Sequence, residues 1–418
     1  MILLLLTTSS SYILRQYEGD MKKLLDELAI FGGKPIFSEK LHVGQPNIGH
    51  RENLYKLLGD MLDRRWLTND GPYVRELEQR LAACLGVKHM LLICNGTVAL
   101  EIACRALDLH GEVIVPSFTF IATAHALQWQ GIAPVFCDIG KDSHHIDPSG
   151  IEKHITARTT GIIGVHVWGH PCDTQAIEKI GRKFNLRVLY DAAHAFGCSL
   201  GGKMIGNFGD AEVFSFHATK FYHTFEGGAI ATNNDETAEK IRYMRNFGFA
   251  TYDQVRCIGI NGKMAEISAA MGLTLLEKLE EVIETNLQHY KSYQQEFSAL
   301  DGVKVFRYNA SERNNYQYIV LEVDEEKTGI NRDTIVKILH AENILVRRYF
   351  YPGCHEMEPY RSYYPAAGLL LPNTNKLTRR VMALPTGTAV SGDAVTKICS
   401  LVGLIISNGR QIAAKLTT

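Results

Sequence analysis

Nine cysteines are spread along the 418 residues, and no two stand at the spacing of a metal-ligand or redox pair. Cys84, Cys94, Cys104, Cys137, Cys172, Cys198, Cys257, Cys354 and Cys399 occur singly, and their number is odd. That excludes a disulfide framework and a zinc-ligand set, and suits small buried hydrophobes in a reducing cytoplasm. Net charge is lacking too: 44 Lys and Arg face 45 Asp and Glu. A chain so balanced has no electrostatic footprint for nucleic acid. No charge-free stretch reaches the ~20 apolar residues that a membrane-spanning helix needs. The apolar run at residues 2–6 has no basic residue before it and is too short for a secretory signal. Met21-Lys22-Lys23 reads as a more natural start, so residues 1–20 are expected to be an upstream extension, mobile in solution. Internal repeats and low-complexity segments are absent as well.

What is present is apolar and regularly spaced. At 46% hydrophobic content the chain has ample core for two or three domains. Apolar runs at 90–94, 112–116, 134–138, 161–167, 187–190, 211–216 and 229–231 read as strands. Between and around them, residues 52–64, 74–85, 98–103, 174–184, 236–246 and 265–279 read as helices. Continuous apolar strands separated by helices predict a mostly parallel sheet covered on both faces, an α/β fold. Beyond 279, a long helix, a strand at 318–323, a helix at 332–339 and a basic, aromatic strand and turn at 344–352 predict a smaller α+β part. The expected division is 1–46, an extension and arm; 47–280, a large domain; and 281–418, a small domain.

Chemistry-bearing residues fall just after the predicted strands, where open α/β sheets bind ligands. Lys220 closes the run Phe214-Ser215-Phe216-His217-Ala218-Thr219-Lys220, before Glu226-Gly227-Gly228. A Lys on a short loop after a buried strand is placed to lose its proton and form a Schiff base with a carbonyl. Asp191 ends the strand Val188-Leu189-Tyr190 and is followed by Ala192, Ala193 and His194. It suits a carboxylate aimed into a cleft; the alternative is an N-cap for a helix beginning at Ala192. A Lys and such a carboxylate are the two groups that pyridoxal phosphate (PLP) chemistry requires. Asn95-Gly96-Thr97 opens a helix after a strand, which suits a phosphate site or an ordinary turn. Phe118 and Phe120 follow another strand, and either could stack on a ring or fill the core. His166, His194 and His217 could line the same cleft.

DAAHAFG at 191–197, SFHATK at 215–220 and EGG at 226–228 resemble the nucleotide-sugar aminotransferases of the DegT/DnrJ/StrS group, which are fold-type I PLP enzymes. The likeness runs from about Trp66 to the C-terminal region. It implies a seven-stranded-type sheet and Lys220 as the residue that holds PLP and moves protons. It implies Asp191 on the ring nitrogen, Phe120 stacked on the ring, and His194 close to the cofactor. Gly96, Thr97 and Ser215 would hold the phosphate. Asn261 would reach the phosphate in a neighbouring subunit, making a homodimer with shared sites. His217, Arg347 and Tyr349 would face the sugar nucleotide. L-glutamate would be the amino donor. WLTNDGP, HATKFYHTFEGGAI, NFGF, GINGKM and RRYFYP resemble the branch acting on a 4-keto-6-deoxy sugar carried by dTDP. Lys220 itself argues against the branch that replaces this Lys with His. A 3-keto-sugar aminotransferase, an amino-acid aminotransferase or lyase, and a regulatory protein on the same fold stay open.

Overall fold

The computed structural model describes residues 21–417; the extension expected at 1–20 lies outside them. Seven strands form the central sheet: β1 (His89–Ile93), β2 (Glu112–Pro116), β3 (Ala133–Cys137), β4 (Thr159–Val165), β5 (Arg187–Asp191), β6 (Ala211–Ser215) and β7 (Gly228–Thr232). Their order is β1-β7-β6-β5-β4-β2-β3. β7 runs antiparallel to both neighbours, and the remaining pairs are parallel. β2, β4 and β7 are buried almost throughout, the burial expected of strands covered on both faces.

The cover comes from α1 (Arg51–Arg64), α2 (Pro72–Leu85), α3 (Gly96–Ala106), α4 (Ile121–Gln128), α5 (Thr174–Phe184), α6 (Asp235–Met244) and α7 (Glu266–Leu276). α5 has the bounds its sequence pattern predicts. Asp173 caps it by accepting from the Ala176 amide at 3.0 Å, and Asn185 ends it with φ 53°. The helix expected over 265–279 instead stops at Leu276. Lys278, at φ −106° and ψ 6°, redirects the chain before α8 (Leu279–Phe297). α8 then serves two cores. Leu279, Val282 and Ile283 pack with α2 and α7, whereas Tyr290, Tyr293 and Phe297 enter a second core.

That second core lies on an antiparallel sheet of β8 (Val303–Val305), β9 (Ile319–Val323) and β10 (Val381–Leu384). α9 (Arg332–Ala341) and α10 (Gly392–Ser407) supply Ile335, Leu339, Ile398 and Val402 to it. Leu28, Phe37 and Leu41 share this core, so the segment before residue 46 is packed against C-terminal elements. Leu41–His42 pairs in parallel with Ile344–Leu345. Of the strand and turn expected at 344–352, the strand takes those two residues. The rest turns toward the ends of the central strands; Pro352 has no N–H to continue a ladder.

Glu342 is the anchor of the N-terminal segment. It is fully buried, and its carboxylate accepts from the Lys22 ammonium at 2.7 Å, the Ala29 amide at 2.7 Å and the Ile36 amide at 2.8 Å. Removing one side of a buried charged network strands the other groups without partners. Glu342→Ala should therefore lower stability by about 3–5 kcal/mol in denaturant unfolding. It should also open residues 22–46 to limited proteolysis. Unchanged unfolding and cleavage would remove Glu342 from this role.

Candidate active site

The carboxyl ends of β1, β2, β5 and β6 open into one cavity of about 930 Å³. Gly96, Thr97, Phe120, Asp191, His194, Ser215, His217, Lys220, Arg347 and Tyr349 all line it. Asn261, also expected at the site, does not; it is exposed beside the 246–260 hairpin, paired with Asn246 through a single β-bridge. His166 also lies outside the cavity. It is buried behind β4, with Nε2 3.2 Å from a Glu212 carboxylate oxygen.

Asp191 caps no helix. One carboxylate oxygen accepts from the Ala193 amide at 3.0 Å, closing a turn, and the other accepts from the Thr123 hydroxyl at 2.8 Å. Thr123 spends its one proton on Asp191, so Thr119, 2.8 Å away, donates to Thr123 in turn. Burial raises the Asp191 pKa, and the Thr123 hydroxyl, the Ala193 amide and the Lys220 charge oppose that rise. Lys220 feels the complementary balance. Burial lowers its ammonium pKa to about 8, while attraction to Asp191 works the other way. An amine partly unprotonated near neutral pH is a nucleophile and a proton carrier.

At the other end of the cavity, α3 begins at Gly96 with Asn95 as its cap, accepting from the Val98 amide at 2.8 Å. The Gly96 and Thr97 amides thus have no helical acceptor and point positive dipole toward the cavity. A Cβ at position 96 would stand 3.0 Å from the Ser215 Cβ and 3.3 Å from its hydroxyl oxygen. A Cβ at position 228 would come within 2.7 Å of the Gly96 nitrogen. Glycine at both places lets β6 and β7 approach the helix start and leaves a cradle sized for an anion.

The walls are aromatic. Phe120 is exposed to the cavity at the start of α4, whereas Phe118 is fully buried core. His194 lies parallel to Trp168 (5.9 Å, 19°) and to Phe350 (5.9 Å, 16°). The Trp168 amide donates to Nδ1 of His194 at 3.2 Å, so the ring proton sits on Nε2. Burial, reinforced by Lys220, holds His194 well below its ordinary pKa and hence neutral. Trp168 delivers that amide from a left-handed conformation, φ 65°, unusual for so bulky a residue and a mark of local strain. At the rim, His217 is 3.4 Å from Glu226, and the Arg347 guanidinium lies over the Tyr349 ring at 5.3 Å.

Thr123, Trp168, Tyr318 and the strap His42-Val43-Gly44-Gln45-Pro46 were not expected at the site; of these, all but Thr123 and Trp168 line the cavity. Thr123 sits one helical turn after Phe120, a spacing that could have flagged it. Tyr318 reaches Lys220 across 98 residues, and no local pattern carries that contact.

Comparison with known proteins gives the family. The family model for the DegT/DnrJ/EryC1/StrS aminotransferases matches residues 49–403. A dTDP-4-amino-4,6-dideoxy-D-glucose transaminase of Shigella dysenteriae is 38% identical over 369 residues, covering 88% of this chain and 98% of the relative. A GDP-perosamine synthase of Escherichia coli O157:H7 is 31% identical, over 88% of this chain and 98% of its own length. The crystal structure of DesI with its TDP-sugar product superposes with a TM-score of 0.90 at 44% identity, covering 94% of this chain and all of that one. The chain belongs to the DegT/DnrJ/EryC1/StrS aminotransferase family.

Proposed function

We propose that this enzyme transfers an amino group from L-glutamate to the ketone of a dTDP-linked 4-keto-6-deoxy sugar, with PLP as cofactor. The observation that carries this reading is one cavity holding a lysine of lowered pKa, a buried carboxylate and an anion cradle at a helix start. The residues present fit PLP: the cradle between Gly96 and Ser215 suits its phosphate, and Asp191 suits its ring nitrogen. When bound, PLP supplies the electron sink that lets a C–H bond beside nitrogen ionise.

The chain's own groups do the rest. Gly96 and Thr97 amides and the Ser215 hydroxyl hold the phosphate. Phe120 and neutral His194 bound the ring, and Asp191 keeps a proton on its nitrogen. Lys220 holds the cofactor covalently and, once released, moves a proton at Nζ. His217, Arg347 and Tyr349 stand where substrate enters. Donor and acceptor use the site in turn, so the kinetics are ping-pong. Identity to dTDP-sugar relatives exceeds identity to the GDP-sugar relative, 38% against 31%, which favours dTDP.

Asn261 completes the site from a neighbouring copy in this reading, and a homodimer is the assembly. Phe247, Phe249, Ile258 and Ile260 are exposed around it, Ile258 at 93%. So contiguous an apolar surface suits a protein partner. The division at residues 46 and 280 also belongs to this reading, with residues 22–46 acting as part of the small domain.

Three outcomes test it. L-glutamate should bleach the visible band of the purified holoenzyme, and dTDP-4-keto-6-deoxyglucose should restore it. Bleaching without restoration refutes the sugar, and restoration by a GDP-linked keto sugar alone refutes the nucleotide. Thr123→Val removes the hydroxyl that favours the Asp191 carboxylate, so that carboxyl protonates at higher pH. The acid limb of the kcat/KM–pH profile should move up by about one pH unit; an unmoved limb contradicts the pairing. Ile258→Glu should convert a dimer to monomer in sedimentation and weaken cofactor retention, and an unchanged dimer would place the interface elsewhere.

A further inference from the structure

Lys220 has one hydrogen-bond partner for its Nζ among the described residues, the Tyr318 hydroxyl at 3.3 Å. Tyr318 stands immediately before β9, and its ring is buried. Neighbours fix that ring on several sides: His194 at 4.4 Å, Trp168 at 5.3 Å and Tyr349 at 6.1 Å. Its backbone carbonyl accepts from the Tyr308 hydroxyl at 2.8 Å. The hydroxyl is therefore presented to the cavity from a rigid support, and Nζ also lies 5.8 Å from the Tyr318 ring centre.

The proton traffic proposed for Lys220 gives that contact a use. A C–H bond of the substrate breaks, its electron pair stays behind, and the proton goes to Nζ, turning –NH2 into –NH3+. The ammonium then gives the proton to a second carbon and returns to –NH2. A carboxylate beside Nζ could only accept from it, and a cation could only donate. A phenol does both: it accepts from –NH3+ and donates to –NH2. Burial raises the Tyr318 pKa well above its ordinary value, so the phenol keeps its proton throughout. We infer that Tyr318 is a further catalytic residue, whose hydroxyl holds the Lys220 amine in position in both of its protonation states. This rests on the transamination reading, because it assigns Lys220 the proton.

The test is Tyr318→Phe, read in two ways. In cofactor-free protein, Lys220 is titrated by competitive acetylation and mass spectrometry. The phenol's bond to the charged ammonium is stronger than its bond to the neutral amine, so its loss should move that titration down by about one pH unit. In the holoenzyme, single-turnover rates of both half-reactions should fall about tenfold with little change in KM. An unmoved titration, or unchanged half-reaction rates, overturns the inference. If the phenylalanine variant does not fold, fluorotyrosine at position 318 keeps the shape and weakens the acceptor. It should shift the titration in the same direction, and no shift again overturns the role. Wild-type protein that shows no half-reaction refutes transamination itself, which the Tyr318 experiment does not share.

Discussion

Asp191 is a carboxylate sunk at the end of a parallel strand, and much of the site is arranged around keeping it charged. Burial alone pushes its pKa up. Four groups push back: the Thr123 hydroxyl from α4, the Ala193 amide from the following turn, the Lys220 ammonium from the loop after β6, and the charge of His166 just after β4. Each comes from a different element, so the balance exists only in the folded chain. The same balance seen from Lys220 yields an amine with pKa about 8, suited to attack and to proton transfer. Burial thus makes the lysine reactive, and the carboxylate 29 positions away limits how far its pKa falls.

The fold makes this possible by geometry rather than by strong local contacts. Parallel strands all end on one edge, so residues far apart in sequence meet there. The helix start at Gly96 faces the same edge and adds positive dipole at the opposite end of the cavity. Closure comes from the second core. The segment pinned by Glu342 carries His42 to Pro46 over the cavity, while the turn after Ile344–Leu345 carries Arg347 and Tyr349. Both walls therefore depend on packing that lies outside the central sheet.

Strand positions, the parallel sheet and the strand-end residues were legible because buried strands write long apolar runs and chemistry follows them. α5 was readable to the residue, since Asp173 and Asn185 mark both ends. The break at Lys278 was not, because the apolar pattern continues through it and only two-core packing of α8 demands the turn. Asp191 was ambiguous between a cap and a cleft carboxylate until Thr123 and Ala193 were seen to hold it. Tyr318 and the N-terminal strap were invisible for a simpler reason: their contacts with Lys220 and its loop are long-range, and periodicity reports only neighbours.

Whether Lys220 carries the cofactor can be read by chemical trapping. Holoenzyme is reduced with borohydride, digested, and the peptides are mapped by mass spectrometry. The expected result is the reduced pyridoxyl group on Lys220 alone, with none trapped when L-glutamate is added first. Label on another lysine, or trapping that glutamate does not prevent, would contradict the assignment of this cavity as the site of transamination.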